Sequence, residues 1–263
     1  MKPRASLTAF SILFSVKKEI NFKENLQMLL RIISDIHGNS TALESVLDDP
    51  PGKEVEKTFC LGDIVGYGAD PSRCISIIRR KCEIVVLGNH DAGAAGNVSL
   101  DMFNSEGAIA LRWTRSILSQ EEKKWLSFLP YYAEYENFFM CHSYPADPES
   151  WTYVLRRNHA LESINARQGY ISLIGHTHLP GCWTEDGNFT EVSKGDFSKV
   201  RLVNVGSVGQ PRDKDPRAAY LLIDTEAGTW EHRRVEYSID DAAAGIKKEA
   251  LPSVLWERLY IGM

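Results

Sequence analysis

Eight polar side chains of this sequence stand directly after apolar runs, in positions where several could share one task. They are Asp35 and His37 after Leu30-Arg31-Ile32-Ile33; Asp63 after Phe59-Cys60-Leu61; Asn89 and His90 after Ile84-Val85-Val86-Leu87; His142 after Phe138-Phe139-Met140-Cys141; and His176 and His178 after Ile171-Ser172-Leu173-Ile174. Asp35 and His37 are two residues apart with Gly38 behind them, so the chain can turn away while both side chains face one spot. Carboxylate, imidazole and amide together are the ligand mix that borderline divalent metals take. Each pair alone is equally compatible with a helix cap and a surface histidine. Five such clusters point to a metal site.

The elements that must position them follow from periodicity. Leu30–Ile33 reads as a buried strand, Thr41–Leu47 as a helix opened by a Thr41/Glu44 capping box, Lys57–Leu61 as a strand, Pro71–Lys81 as a helix with proline in its first turn, and Glu83–Leu87 as a third strand. Strand, helix, strand, helix, strand with polar residues at each carboxyl end describes a parallel α/β unit, whose sites lie at that edge. Residues from Ala92 to Phe128 read as a helical insert, with helices over Ile109–Leu118 and Glu121–Phe128. Short strands follow at Tyr131–Tyr135, Asn137–Cys141, Tyr170–Ile174, Arg201–Val205, Ala218–Ile223 and Trp230–Val235, interrupted by a helix near His159–Arg167. This second half predicts a second sheet packed on the first. One amphipathic helix, 240–258, is expected to close the chain.

Composition narrows the classes. A chain of 263 residues with 43% hydrophobic content can bury one substantial core. The formal charge of −5 leaves no basic face for non-specific nucleic-acid binding. The five cysteines form no Cys-x-x-Cys and no even framework, which fits a reducing, cytoplasmic setting. Residues 1–28 carry an apolar stretch from Leu7 to Val16 behind Lys2 and Arg4, followed by Lys17-Lys18-Glu19 where a signal peptide would need small residues. The stretch is too short to span a bilayer. It reads as a dispensable extension ahead of a domain spanning 29–263.

The ordered set Asp-x-His, Gly-Asp, Gly-Asn-His-Asp, lone His and Gly-His-Thr-His resembles the calcineurin-like metallophosphoesterase superfamily, over about Leu29 to Val235. The resemblance implies an α/β, four-layer αββα sandwich of two mixed sheets flanked by helices. It also implies two divalent ions per chain. One would be held by Asp35, His37, Asp63 and His178, the other by Asp63, Asn89, His142 and His176, with Asp63 bridging. Two ions roughly 3.5–4 Å apart can clamp the attacking and leaving oxygens of an in-line displacement. Their mixed N/O ligands suit manganese and equally admit iron, zinc or nickel. A hydroxide between the ions would attack phosphorus. His90 would face the phosphate and protonate the leaving alkoxide or stabilise its charge.

Details of the loops narrow the branch. Gly62-Asp63-Ile64-Val65-Gly66-Tyr67-Gly68 has Gly66 where Ser/Thr protein phosphatases place the aspartate that orients their catalytic histidine, and Tyr67 where they place a phosphate-gripping arginine. Gly-Tyr-Gly together with Asn204-Val205-Gly206-Ser207-Val208-Gly209-Gln210-Pro211-Arg212-Asp213 looks like the bacterial and archaeal phosphodiesterase branch, which usually has proline at Val205. Arg212 either approaches a substrate phosphate or pairs with Asp213 or Asp215. The expected activity is metal-dependent hydrolysis of a small phosphate ester, a diester before a monoester. A metallonuclease and a catalytically silent interaction scaffold are the alternatives. Tyr144 and Trp151 could stack on a base or fill the core, and exposed edge strands could support a homodimer.

Overall fold

The computed structural model describes residues 28–263. The expected extension, 1–28, therefore lies outside the described residues except for Met28. That residue belongs to the folded body: it is buried, its N–H donates to Thr225 Oγ1 at 3.1 Å, and its carbonyl accepts from the Thr225 backbone at 3.0 Å.

In chain order the elements are β1 (Leu29–Ile33), α1 (Ser40–Asp48), β2 (Lys57–Cys60), α2 (Pro71–Lys81), β3 (Ile84–Val85), α3 (Asn89–Ala95), α4 (Ser105–Ile117), α5 (Gln120–Ser127), β4 (Tyr132–Tyr135), β5 (Phe138–Cys141), α6 (Arg157–Ala166), β6 (Ile171–Ile174), β7 (Gly181–Thr184), β8 (Phe189–Thr190), β9 (Lys194–Asp196), β10 (Val200–Asn204), β11 (Ala218–Asp224), β12 (Thr229–Val235), α7 (Ile239–Lys248) and α8 (Ser253–Glu257). Two mixed sheets of six strands form, in the orders β3-β2-β1-β11-β12-β9 and β4-β5-β6-β10-β7-β8. Strand β1 runs parallel to β2 and β2 to β3; in the other sheet β5 runs parallel to β6 and β6 to β10. Their carboxyl ends therefore meet along one edge.

Alternation along the strands sorts the layers. Leu30 and Ile32 of β1 join Phe59, Phe138, Met140, Leu173, Val203, Leu221 and Ile223 in the core between the sheets. Leu29 and Ile33 point the other way, onto Leu43 and Val46 of α1 and Ile75 and Ile78 of α2. The outer face of the second sheet, with Phe139, Cys141, Trp183 and Leu202, carries Ala160 of α6. The result is the expected αββα sandwich.

The structure corrects several boundaries. Thr41/Glu44 is not the cap of α1: Asn39 is, its Oδ1 accepting the Ala42 N–H at 3.1 Å, because Asn39 is the residue at which the loop after β1 turns into the helix. The division of sheets by halves of the sequence also fails. Strands β11 and β12 return to the first sheet, β11 pairing antiparallel with β1 from Leu29↔Asp224 to Ile32↔Leu221. An apolar run reveals that a strand is buried, but not which neighbour it finds. Short β7, β8 and β9 add to the strands that the sequence predicts. The single closing helix is two, because Pro252 cannot continue a helix and disfavours helical geometry at Leu251 before it. These two helices pack through Ile246, Leu251 and Leu255 on Tyr67 and Ala110, beside the loop after β2 rather than on the sheet face.

Candidate metal centre

The loops at the shared strand edge extend the parallel ladder past the strands. Asp35 N donates to Gly62 O at 3.0 Å, His37 N to Asp63 O at 2.9 Å and Gly38 N to Ile64 O at 2.9 Å. The two sheets are stitched there as well: Gly209 N donates to Asp35 O at 2.9 Å and His176 N to Asp35 Oδ2 at 2.9 Å. Asp35, His37, Asp63, His176 and His178 all have positive φ, between 50° and 67°. Non-glycine residues enter that region at a cost, and a run of them at one edge is the kind of strain that surrounding structure holds in place at functional sites. Close approach adds to it: a β-carbon on Gly175 would lie 2.0 Å from Ser34 Oγ and 2.4 Å from Asp35 Oδ2, so only glycine lets β6 meet the loop after β1.

The histidines share one pattern. His37 Nδ1 bonds Val65 O at 3.2 Å, His142 Nδ1 bonds Leu61 O at 2.8 Å, His178 Nδ1 bonds Gln210 O at 2.6 Å, and His176 uses Nε2 instead, on Trp151 O at 2.9 Å. A carbonyl only accepts, so each of these nitrogens carries the proton, and in the neutral ring the opposite nitrogen presents a lone pair. Those opposite nitrogens converge: His37 Nε2 and His178 Nε2 are 3.0 Å apart, and His142 Nε2 and His176 Nδ1 are 3.1 Å apart. Between them stand the acids. Asp35 Oδ1 is 3.3 Å from His178 Nε2, and Asp63 Oδ2 is 3.2 Å from His142 Nε2 and 3.7 Å from His37 Nε2.

Asp35 with His37 and His178, and Asp63 with His142 and His176, form two groups whose ligand atoms lie within 4.8 Å of one another. His37, Asp63 and His90 make a third such group, which links the other two. All of these side chains are buried, and Asp35 Oδ1 and Asn89 Oδ1 are buried with no hydrogen-bond partner. Buried oxygens without partners, set among outward-turned imidazole lone pairs, fit divalent cations. The acids and imidazoles act strongly on one another's charge. Burial would raise Asp35 and Asp63, but the neighbouring imidazoles, His178 foremost for Asp35 and His142 for Asp63, hold both well below the usual carboxylate range. Burial likewise depresses His142, yet Asp63 and Asp35 outweigh it and lift that ring to about 9, while burial and the charge of His142 push His176 down to about 3.

His90 opens α3 right after Asn89, and its backbone N–H donates to Asp63 Oδ1 at 2.8 Å. Its ring lies 4.5 Å from Tyr67, 4.8 Å from His37 and 5.0 Å from Phe103. Burial lowers it to about 4. Arg212 pairs with neither Asp213 nor Asp215. Those acids are taken by Arg234 and Arg217, and Arg212 sits instead with its guanidinium 5.9 Å from the Tyr67 ring centre. Tyr144 bonds Glu162 of α6, away from the cluster, whereas Trp151 supplies the carbonyl that fixes His176.

Further residues hold the candidate ligands in place. Asp91 accepts from Ile64 N, Val65 N and Gly88 N at 2.9, 3.1 and 3.2 Å and so locks the Asp63 loop onto the Asn89 loop. Asn204 Nδ2 holds the His176 loop through Gly175 O at 2.6 Å and Thr177 Oγ1 at 2.9 Å. Tyr153 stacks on His176 at 4.0 Å. Asp91 belongs to the Gly-Asn-His-Asp motif, and Asn204 is a polar residue ending an apolar strand, so both carry a sequence signal. The backbone carbonyls of Leu61, Val65, Trp151 and Gln210 leave no mark on residue type.

Comparison with known proteins agrees with this geometry. Residues 28–228 match the model of the calcineurin-like phosphoesterase superfamily domain, and the chain belongs to that superfamily. It is 41% identical over 246 residues to an uncharacterized protein of Methanocaldococcus jannaschii, covering 90% of this chain and 99% of that one. A metallophosphoesterase of Sphaerobacter thermophilus superposes with a TM-score of 0.82 at 36% identity, over 90% of this chain and 100% of the other. A Pyrococcus horikoshii protein shares the fold with a TM-score of 0.73 at 22% identity, over 90% of this chain and 99% of that one. The chain is thus a metal-dependent phosphoester hydrolase in fold and family. Among the described residues no helix is long and apolar enough to cross a membrane.

Proposed function

We propose that this protein is a phosphodiesterase with two divalent ions, manganese foremost, acting on a small phosphate ester. Asp35, His37, Asp63 and His178 would hold one ion and Asp63, Asn89, His142 and His176 the other, with Asp63 shared. The observation that carries the reading is the orientation of four imidazoles, each donating to a backbone carbonyl and turning its free nitrogen toward Asp35 and Asp63. When bound, the ions would supply an acidified water as nucleophile and neutralise charge on the phosphoryl oxygens.

The chain's own groups do the rest. The Asp63 carboxylate ties the His90 backbone to the cluster, so the ring that meets the leaving group is positioned by the same residue that the ions would share. With His90 held at about 4, the ring is neutral near pH 7. Its Nδ1 is buried and unpartnered, which leaves Nε2–H to donate to the departing oxygen. That favours stabilisation of leaving-group charge over delivery of a proton from an imidazolium. Arg212, beside Tyr67 and free of Asp213 and Asp215, would contact a substrate phosphate.

Hydrolysis of bis-p-nitrophenyl phosphate and p-nitrophenyl phosphate by metal-stripped protein titrated with Mn²⁺, beside Asp63→Ala and His90→Ala, tests the proposal. Metal-dependent diester turnover that collapses in both variants is expected. Preferred monoester turnover would replace diesterase by phosphatase. Stoichiometric binding of Mn²⁺, Fe²⁺, Ni²⁺ or Zn²⁺ without any turnover would point to the scaffold.

A further inference from the structure

Two guanidiniums converge beside the metal cluster on one neutral oxygen. Arg212 Nη2 donates to Gln210 Oε1 at 3.1 Å, and Arg258 Nη1 reaches the same atom at 3.4 Å. Gln210 is buried, and its backbone carbonyl accepts from His178 Nδ1 at 2.6 Å, so the pair is anchored to the metal cluster through a single residue. The Arg212 guanidinium faces Tyr67, whose ring lies 4.6 Å from His37 and 4.5 Å from His90.

Among the described residues neither guanidinium has a carboxylate partner. Asp213 and Asp215 serve Arg234 and Arg217, and Glu106, whose charge reaches Arg258, bonds Ser105 Oγ at 2.7 Å. Arg258 Nε is buried with no hydrogen-bond partner. Two like charges sharing one amide oxygen repel each other, and Arg212 adds to burial in lowering Arg258 below its ordinary range. An arrangement that is unfavourable alone and has donors to spare becomes favourable with an anion between the arms.

A carboxylate is matched by one bidentate arginine, whereas a phosphate offers oxygens to two. Arg258 follows α8, in the C-terminal helices beyond residues 28–228 that match the superfamily model. We infer that Arg258 and Arg212 together bind a second phosphate of the substrate, which is therefore a phosphate ester carrying an additional phosphate group. The inference rests on the phosphoesterase reading above.

Isothermal titration of Mn²⁺-loaded protein with thymidine 5′-phosphate, thymidine 3′,5′-bisphosphate and thymidine 5′-diphosphate tests it. The two doubly phosphorylated probes cover phosphates across a sugar and phosphates in series. The expected result is that at least one binds about tenfold more tightly than the monophosphate, the worth of one charge-assisted contact. That advantage should shrink in Arg258→Gln, return in part in Arg258→Lys, and weaken in wild type as salt is raised. Equal affinity of wild type for all three probes, or an advantage unchanged in a folded Arg258→Gln, overturns the inference. Turnover of bis-p-nitrophenyl phosphate by the same samples separates the two readings. Turnover without a preference for two phosphates overturns this inference alone, and a preference without turnover overturns the hydrolase reading while the two-arginine site stands.

Discussion

His90 Nδ1 lies directly over Gly66: a β-carbon at that glycine would come within 2.4 Å of the nitrogen. Gly66 is the position at which the resemblance places an aspartate in protein phosphatases, and here nothing polar replaces it, so Nδ1 is buried without a partner. The ring is instead positioned by contact, with Tyr67 and Phe103 at 4.5 and 5.0 Å.

Gly66→Ala should therefore displace His90 while leaving the metal ligands in place. Its φ of +98° also disfavours any side chain there. We expect kcat on bis-p-nitrophenyl phosphate to fall about 100-fold, the lower range for loss of a positioned acid–base or hydrogen-bonding group, with metal content unchanged. Activity within about threefold of wild type would show that His90 does not depend on this contact.

Metal removal should destabilise the fold. The imidazole nitrogens at 3.0 and 3.1 Å and the two carboxylates among them are arranged for cations. At a metal concentration about 100 times Kd, binding adds about 2.7 kcal/mol, or about 5–10 °C in Tm for a domain of this size. Thermal unfolding after chelation and after Mn²⁺ addition measures this, and Asp63→Asn should lose most of the response. A Tm indifferent to metal in wild type would refute the site.

Asn204 links strand β10 to the Gly175–His178 loop through two donated bonds, and its Oδ1 accepts the Gly206 N–H at 3.0 Å. Asn204→Leu keeps the volume and deletes all three bonds. The expected loss is about 10–100-fold in metal affinity, because groups that orient ligands matter nearly as much as the ligands. Competition with a metallochromic chelator would detect it. Unaltered affinity in folded protein would reduce Asn204 to a packing role.

His232 provides a pH probe that is not itself one of the candidate metal ligands. Burial, aided by the charge of Arg234, lowers it to about 4 from 6.5 against the opposing bond of its Nε2 to Asn204 O at 2.7 Å. The folded pKa lies below the unfolded one, so between pH about 6.5 and 4 the unfolded chain binds the extra proton. Stability is fully present above that window and is lost as pH falls through it, by up to about 3 kcal/mol. His232→Gln should flatten the acid side of the Tm–pH curve over that window. An identical slope in both proteins would remove His232 as the cause.

Much of the fold was legible because buried strands write continuous apolar runs and helices write their period. The runs ending at Ile33, Leu61, Cys141 and Ile174 all prove to be strands or their immediate continuations. Strand β11 was recognised as a strand but assigned to the wrong sheet, since Leu221 and Ile223 would suit either side of the central core equally. Short β8 and β9 have too few residues for any period to appear.

The sequence by itself determined which polar residues share the site edge: Asp35, His37, Asp63, Asn89, His90, His142, His176 and His178 stand at strand ends, where a parallel sheet must gather them. Only the tertiary structure decided how they are aimed. The carbonyls of Val65, Leu61, Gln210 and Trp151 select which nitrogen of each histidine faces the cluster. Arg258 is brought beside Arg212 by the turn at Pro252 and the packing of Leu255 on Tyr67. Residue types are local and can be read along a chain. Backbone carbonyls and contacts between distant segments acquire meaning only when folding brings them to a partner.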